Sequence, residues 1–215
     1  MGVLTVLLAL LQLGLSAAAP PTDPIRGIQD NPASEAVVSV SFSGSGCPQG
    51  TTNASTTGLW EHFAFDLPSF RAASGPTSSV SERTVNCQAH MNFEAPTGWQ
   101  FALKEHLSRG HFEADHAGVT LSQYLTVYLS QDAAHTATVT RSIPSTGNPA
   151  TSKTLRLHTT IPDTALIWSP CNGSGILNVN FRMAFTGTTG NVTAYYGAGN
   201  NVPVSEQWWW AWRRC

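Results

Sequence analysis

The sequence has few charged residues. Lysine and arginine together contribute 11 of the 215 residues and aspartate and glutamate 13, a charged fraction of 11% and a net charge of −2. A chain with so little positive charge offers no basic surface for a nucleic acid or an anionic lipid. We therefore expect neither nucleic acids nor, once a leader has been removed, membranes among its partners.

Several catalytic motifs are also absent. The sequence contains no G-x-S-x-G, no H-E-x-x-H and no glycine-rich phosphate loop, and no two cysteines have C-x-x-C spacing. These absences argue against a serine hydrolase of the α/β type, a zinc protease, a nucleotide-binding enzyme and a cysteine-rich metal site. We expect no metal and no cofactor.

The first residues have the pattern of a secretory signal peptide. Residues 3–15 are apolar with three interruptions, and Ser16, Ala17, Ala18 and Ala19 follow before a proline. No later run approaches the roughly 18 apolar residues of a membrane span. We predict a signal peptide over residues 1–19, an N-terminal arm over 20–35, a single domain over 36–215 and an extracellular location.

Four cysteines are spread over the predicted domain: Cys47, Cys87, Cys171 and Cys215. An even number in a secreted chain predicts two disulfides, for which three connectivities are possible. We favour Cys47 with Cys215, which would tie the termini of the domain together, and Cys87 with Cys171.

Three sequons predict N-glycosylation in a eukaryotic source. They begin at Asn53, Asn172 and Asn191, each in a stretch rich in glycine, serine and threonine that is typical of an exposed turn.

Alternation of apolar and polar residues recurs throughout the chain after the leader. Ala89, Met91 and Phe93 alternate with polar residues before a Pro-Thr-Gly turn at residues 96–98, and alternation resumes after the turn. This pattern predicts a β-hairpin with one buried face. Ten or more such short segments, separated by turn residues, predict an all-β fold: an antiparallel β-sandwich, jelly-roll-like.

The C-terminal segment is rich in tryptophan. In a strand, Trp208, Trp210 and Trp212 share one face and Trp209 lies on the other. We predict that the three-tryptophan face is core, because large aromatic rings anchor a terminal strand. Trp209 is then the candidate for contact with a ligand.

Histidines and carboxylates are concentrated at residues 105–116. His111, Glu113 and Asp115 alternate and would share a strand face, and His106 or His116 could complete a site with them. Such groups can bind a metal or form the paired carboxylates of a glycosidase, while the competing interpretation is a polar outer face. Asn178 and Asn180 also share a face, opposite the core, where amides can bind sugar hydroxyls or neighbouring strands.

Several short motifs of the chain belong together. They are Gly44-Ser45-Gly46-Cys47-Pro48, Asn86-Cys87-Gln88, Pro96-x-Gly98-Trp99-Gln100-Phe101, Arg109-Gly110, Asp115 with Gly118-Val119, Trp168-Ser169-Pro170-Cys171, Leu177-Asn178-Val179-Asn180 and Trp212-Arg213-Arg214-Cys215. This set resembles a known family of small secreted proteins of filamentous fungi and some bacteria, classed as a domain of unknown function. The resemblance implies secretion and an all-β fold, and it implies no activity and no catalytic residues. His111 stands where the family usually has an aromatic residue.

Three hypotheses for the function follow. The first is an extracellular or cell-surface binding protein, with a glycan or cell-wall component as the ligand. The second is an extracellular enzyme, either a glycan-active hydrolase or a biosynthetic catalyst, that uses the cluster at residues 105–116. The third is a structural wall protein or effector.

Overall fold

The computed structural model describes residues 37–54, 63–147, 149–187 and 191–215. The predicted signal peptide and N-terminal arm lie outside the described residues. Apart from one turn of 3-10 helix at Asp163–Ala165, the regular structure described is all β. The strands are β1 (Val37–Ser43), β2 (Asn53–Ala54), β3 (Phe63–Asp66), β4 (Ala72–Ser74), β5 (Thr84–Ala95), β6 (Trp99–Ala114), β7 (Val119–Leu129), β8 (Asp132–Pro144), β9 (Thr151–Thr160), β10 (Gly173–Gly187), β11 (Ala194–Gly197) and β12 (Ser205–Arg214).

The strands form two antiparallel sheets. The five-stranded sheet has the order β1-β5-β10-β7-β8, with β10 in its centre. In the seven-stranded sheet, the long strand β6 pairs with β12 and then β11 on one side and with β9 on the other. The predicted all-β sandwich fold is confirmed.

The predicted hairpin around residues 96–98 is wrong. The turn exists, closed by the N–H of Trp99 donating to the carbonyl of Pro96 at 3.0 Å. However, β5 pairs with β1 and β10, whereas β6 belongs to the other sheet. The turn therefore carries the chain across the sandwich, and the buried faces of the two strands meet through the core instead of side by side.

Aromatic side chains from both sheets fill the space between them. Phe93 of β5 lies edge-on to Phe101 of β6, with ring centroids 5.0 Å apart, and Phe181 of β10 stacks on Phe70 at 4.8 Å. Trp208 of β12 is fully buried. The apolar side chains of β5, β10 and β12 therefore all face the space between the two sheets, where they pack into one core.

Two disulfides are present, and the favoured pairing is wrong. Cys47 pairs with Cys87, 40 residues away, and Cys171 pairs with Cys215, 44 residues away. The first joins the turn after β1 to β5, its neighbour in the sheet, and the second fastens the end of β12 to the segment before β10. Cys47 follows β1, which pairs directly with β5, so its partner is Cys87 of β5 and not Cys215.

Candidate functional site

A β-bulge decides which face of the seven-stranded sheet each candidate side chain occupies. Trp209 pairs with Glu105 but Trp210 pairs with Leu103, so Lys104 is an additional residue in β6. The extra residue reverses the alternation. Leu103 and His106 both point inward, while Glu105 and the odd-numbered residues that follow it point outward.

His106 lies in the core, away from the other predicted candidates. Its Nε2 is 2.9 Å from Oε2 of Glu206, and the indole N–H of Trp208 donates to the same oxygen at 3.0 Å. The His106 and Glu206 side chains are 0% and 1% exposed. A pair so completely enclosed by the sheets cannot meet a substrate, so it is part of the structure of the interior.

Tyr196 lies in the same interior. Burial, and secondarily the charge of Glu206, raise the pKa of its hydroxyl. A Cβ at position 110 would lie 2.5 Å from that hydroxyl, so the tyrosine ring crosses β6 at a position where only glycine leaves room.

The outward-facing part of the predicted cluster contains His111, Glu113 and Asp115. Nε2 of His111 lies 2.7 Å from Oε1 of Glu113, and the loop at residues 199–200 covers the imidazole, which is 1% exposed. Asp115 lies beyond the end of β6 and contacts His116 instead. The four candidates are therefore not brought into one site. Within the described residues, no group of three or more His, Cys, Asp or Glu side chains is placed to hold a metal ion.

A shallow pocket of about 450 Å³ lies at the end of β6. Glu113, Asp115, Ser152 and Tyr195 are among its lining residues. It contains two of the predicted carboxylates, Glu113 and Asp115, but neither His106 nor His111.

Asp115 provides a pH-dependent contact beside this pocket. Desolvation raises the pKa of its carboxyl, but hydrogen bonds from the Thr193 N–H (2.9 Å) and from His116 outweigh it, so the pKa lies below the usual 3.8. The ionised form is favoured in the folded state. Its contribution to stability is therefore present at neutral pH and is lost as the pH falls through the folded-state pKa.

We accordingly expect an NMR titration of the Asp115 carboxyl carbon to have its midpoint below 3.8. Thr193→Pro, which removes the N–H donor, is expected to raise this midpoint. A wild-type midpoint at or above the usual value would contradict the assigned hydrogen bonds.

The two predicted asparagines lie on the outer face of the five-stranded sheet. Asn178 is 2% exposed, and its Oδ1 accepts from His90 Nδ1 at 2.8 Å and from Gln88 Nε2 at 3.3 Å. Its Nδ2 donates to Ser130 Oγ at 2.8 Å. Asn178 is thus fully engaged within the protein. Asn180 is half-buried and donates to Gln88 Oε1 at 3.1 Å.

The tryptophans of β12 divide between the two faces of the strand. Trp208 is buried, and Trp210 and Trp212 pack against Phe101 with ring centroids 5.7 and 5.4 Å away. Trp209 lies on the outer face and is half-buried.

Trp209 belongs to a mixed aromatic and polar surface on the seven-stranded sheet. The His158 ring of β9 meets its indole edge-on at 6.0 Å between centroids. Nε2 of His158 also lies 2.8 Å from Oε2 of Glu105, and this hydrogen bond fixes the orientation of the imidazole ring. Leu107 and Gln207 are paired on the same face. We call these five residues the Trp209 patch.

Sequence reasoning missed Glu206, His158 and His90. Each contacts a residue that was noticed, but the contact crosses strands that are distant in the chain: 100 residues separate His106 from Glu206, and 88 separate His90 from Asn178. The sequence gives one local indication for Glu206: it lies two residues before Trp208, so in a strand it faces the same side as that buried tryptophan. Of the predicted glycosylation sites, Asn172 and Asn191 are exposed; all three stay predictions.

Comparison with known proteins identifies the family. A family model described as "Domain of unknown function (DUF4360)" matches residues 34–215. The chain belongs to this family. A relative from Arthroderma benhamiae, described as an uncharacterized secreted protein, is 29% identical to this DUF4360 protein over 171 residues, which is 80% of this chain and 67% of the relative. The predicted extracellular location is confirmed: the protein is secreted. None of the helical structure described is long and apolar enough to cross a membrane.

Solved structures resemble this DUF4360 protein only distantly. One is TmCBM61 in complex with β-1,4-galactotriose, with 9% identity, a TM-score of 0.23 and coverage of 83% of this chain and 90% of that one. Another is the virus-like particle of the Macrobrachium rosenbergii extra small virus, with 8% identity, a TM-score of 0.21 and coverage of 93% and 94%. At such scores neither structure bears on the function.

Proposed function

We propose that the protein is an extracellular glycan-binding protein and that the Trp209 patch is its binding surface. The observation that carries the proposal is the orientation of Trp209: the other three tryptophans of β12 face or border the core, while this indole lies on the outer surface. A half-exposed indole on an outer face offers a flat apolar surface that suits the C–H face of a pyranose ring.

The groups around the indole supply what sugar hydroxyls require. The Glu105 carboxylate accepts hydrogen bonds and the Gln207 amide both donates and accepts them. Glu105 is 38% exposed and His158 is 52% exposed, so both side chains are available to a ligand. Since the pair is already hydrogen-bonded, little side-chain entropy is lost when a sugar binds. A flat patch of this kind suits a polysaccharide or cell-wall chain better than an enclosed small molecule.

The test is binding to a glycan array and to insoluble polysaccharides. We expect Trp209→Ala to reduce affinity for the bound glycan roughly tenfold or more, since an aromatic contact typically contributes about 0.5–1.5 kcal/mol beyond the area it buries. Trp209→Phe should lose less because it keeps an aromatic ring.

Tyr124→Ala is the matched control. Tyr124 is also half-buried, but it lies on the five-stranded sheet beneath Arg182, whose Cζ is 4.0 Å from the ring centroid. The proposal predicts unchanged binding in this variant. Retention of binding by Trp209→Ala, or its loss in Tyr124→Ala with the fold intact, would overturn the assignment of the surface.

A further inference from the structure

Three side chains on the outer face of the five-stranded sheet form a continuous hydrogen-bonded chain. Ser43 is the last residue of β1, His90 lies in β5 and Asn178 lies in β10. Ser43 Oγ is 2.8 Å from His90 Nε2, and His90 Nδ1 is 2.8 Å from Asn178 Oδ1. Three neighbouring strands therefore bring together a hydroxyl, an imidazole and an amide in the order of a nucleophile, a base and an orienting group.

The direction of each hydrogen bond follows from the partners of Asn178. Its Nδ2 lies 3.5 Å from the carbonyl of Ile176, which can only accept, so the amide oxygen must face His90. Nδ1 of His90 consequently carries the hydrogen. Nε2 is then the acceptor for the O–H of Ser43, which is the tautomer that a general base needs.

The residue that orients the His90 imidazole, Asn178, is itself fixed by hydrogen bonds. Asn178 is 2% exposed, and Gln88 Nε2 donates both to it and to the hydroxyl of Tyr128, the latter at 2.8 Å. Asn180 donates in turn to Gln88. His90 therefore meets an orienting group whose position is set by two further side chains.

The serine is exposed but rigidly supported. The turn after Ser43 is joined to β5 by the Cys47–Cys87 disulfide and by the N–H of Gly46, which donates to the Asn86 carbonyl at 2.8 Å. Gly44 has φ +135°, and a Cβ there would lie 2.4 Å from the same carbonyl, so the turn requires glycine. The disulfide thus anchors the serine to the strand that carries its imidazole partner.

From this geometry we infer that Ser43 is an activated nucleophile for acyl esters, with His90 as its general base and Asn178 as a positioning residue. The Ser43 O–H proton passes to His90 Nε2 as Oγ bonds to the ester carbonyl carbon. The bond to the leaving alkoxide then breaks, and His90 returns the proton to that oxygen, which leaves an acyl-serine and an alcohol. Water, deprotonated by His90, repeats the sequence and releases the carboxylic acid and free Ser43.

The surroundings limit the substrate class. Ser43 is exposed among the described residues, so the carrier of the ester can be large, and the neighbouring amides and the Tyr128 hydroxyl favour a polar carrier. Asn178 orients His90 without supplying a negative charge to stabilise the imidazolium, so both acylation and deacylation should be slow. With an activated ester, whose leaving group departs readily, acylation should still be the faster step and an acyl-serine should accumulate. This activity is separate from the Trp209 patch, which lies on the opposite sheet.

The test uses the intact secreted protein, a fluorophosphonate probe and p-nitrophenyl acetate. We expect phosphonylation of Ser43, located by tandem mass spectrometry, and an initial burst of p-nitrophenol. Ser43→Ala should abolish both, and His90→Ala should reduce the labelling rate at least about 100-fold. Ser41→Ala is the matched control, because Ser41 is exposed on the same strand directly opposite His90, and it should label normally.

The positioning role of Asn178 is tested by comparing a variant that keeps a hydrogen-bond acceptor with one that does not. Asn178→Asp keeps an acceptor for the Nδ1–H of His90 and should label at least as fast as the wild type, whereas Asn178→Leu should label slowly, with melting temperatures reported for both. If the folded wild-type protein is not labelled at Ser43, or if His90→Ala labels as fast as the wild type, the inference is wrong. Loss of glycan binding in Trp209→Ala leaves labelling unaffected, so the two proposals fail independently.

Discussion

Glu206→Ala is expected to lower the free energy of unfolding by about 3–5 kcal/mol, as is usual when one partner of a buried pair is removed. The Glu206 carboxylate accepts hydrogen bonds from both His106 and Trp208, and all three side chains are within 1% of full burial. Truncation leaves an imidazole N–H and an indole N–H in the core with neither a protein partner nor water.

An exposed pair of the same chemistry is the matched control. Glu105 lies 2.8 Å from His158 on the outer surface, so Glu105→Ala should cost less than about 1 kcal/mol. Urea unfolding of both variants gives the comparison. If Glu206→Ala is no more destabilising than Glu105→Ala, the buried pair does not have the role assigned to it.

The second large effect is expected for the first disulfide. Replacing Cys47 and Cys87 together with alanine frees a loop of 40 residues, which on the chain-entropy model costs about 4 kcal/mol. For a domain of this size the melting temperature should fall by roughly 10 °C. Because the disulfide also supports the Ser43 turn, the double variant should react more slowly with the fluorophosphonate probe even below its melting temperature.

Mass spectrometry of a non-reduced digest tests the pairing directly. The structure predicts one peptide pair joined through Cys47 and Cys87 and another joined through Cys171 and Cys215. A pair that links Cys47 to Cys215 would contradict the arrangement of the sheets as well as the disulfides.

The buried faces of the strands could be predicted from sequence, but the pairing of the strands could not. Alternation places Ala89, Met91 and Phe93 in the core wherever β5 lies, because only side-chain parity matters. The turn at residues 96–98 fits both a hairpin and a crossing between sheets. The pairing of β5 with β10, about 90 residues away along the chain, decides between the two. The sequence near the turn does not indicate that pairing.

The candidate sites could not be predicted for a related reason: they depend on contacts between strands that are distant in the sequence. His106 and His111 fall in one polar stretch of sequence, but they are five residues apart in β6 and therefore face opposite sides of the sheet. The extra residue Lys104 decides which of the two faces inward, and the sequence gives no sign of that bulge. The Ser43–His90–Asn178 chain joins three strands separated by 47 and 88 residues, and no spacing rule connects them. The outer-face position of Trp209 could be predicted, because it depends only on the alternation of side chains within one strand.

The measurement that tests the central claim most directly is a ¹H–¹⁵N spectrum of the tryptophan indoles during titration with a glycan that the protein retains. Trp209 should shift progressively with ligand, along with the main-chain signals of Glu105 and His158, while the buried Trp208 should stay in place. The account would be contradicted if the indole signal of Trp209 kept its position at saturating glycan. It would also be contradicted if only the main-chain signals of Tyr124 and Tyr128, on the other sheet, changed position.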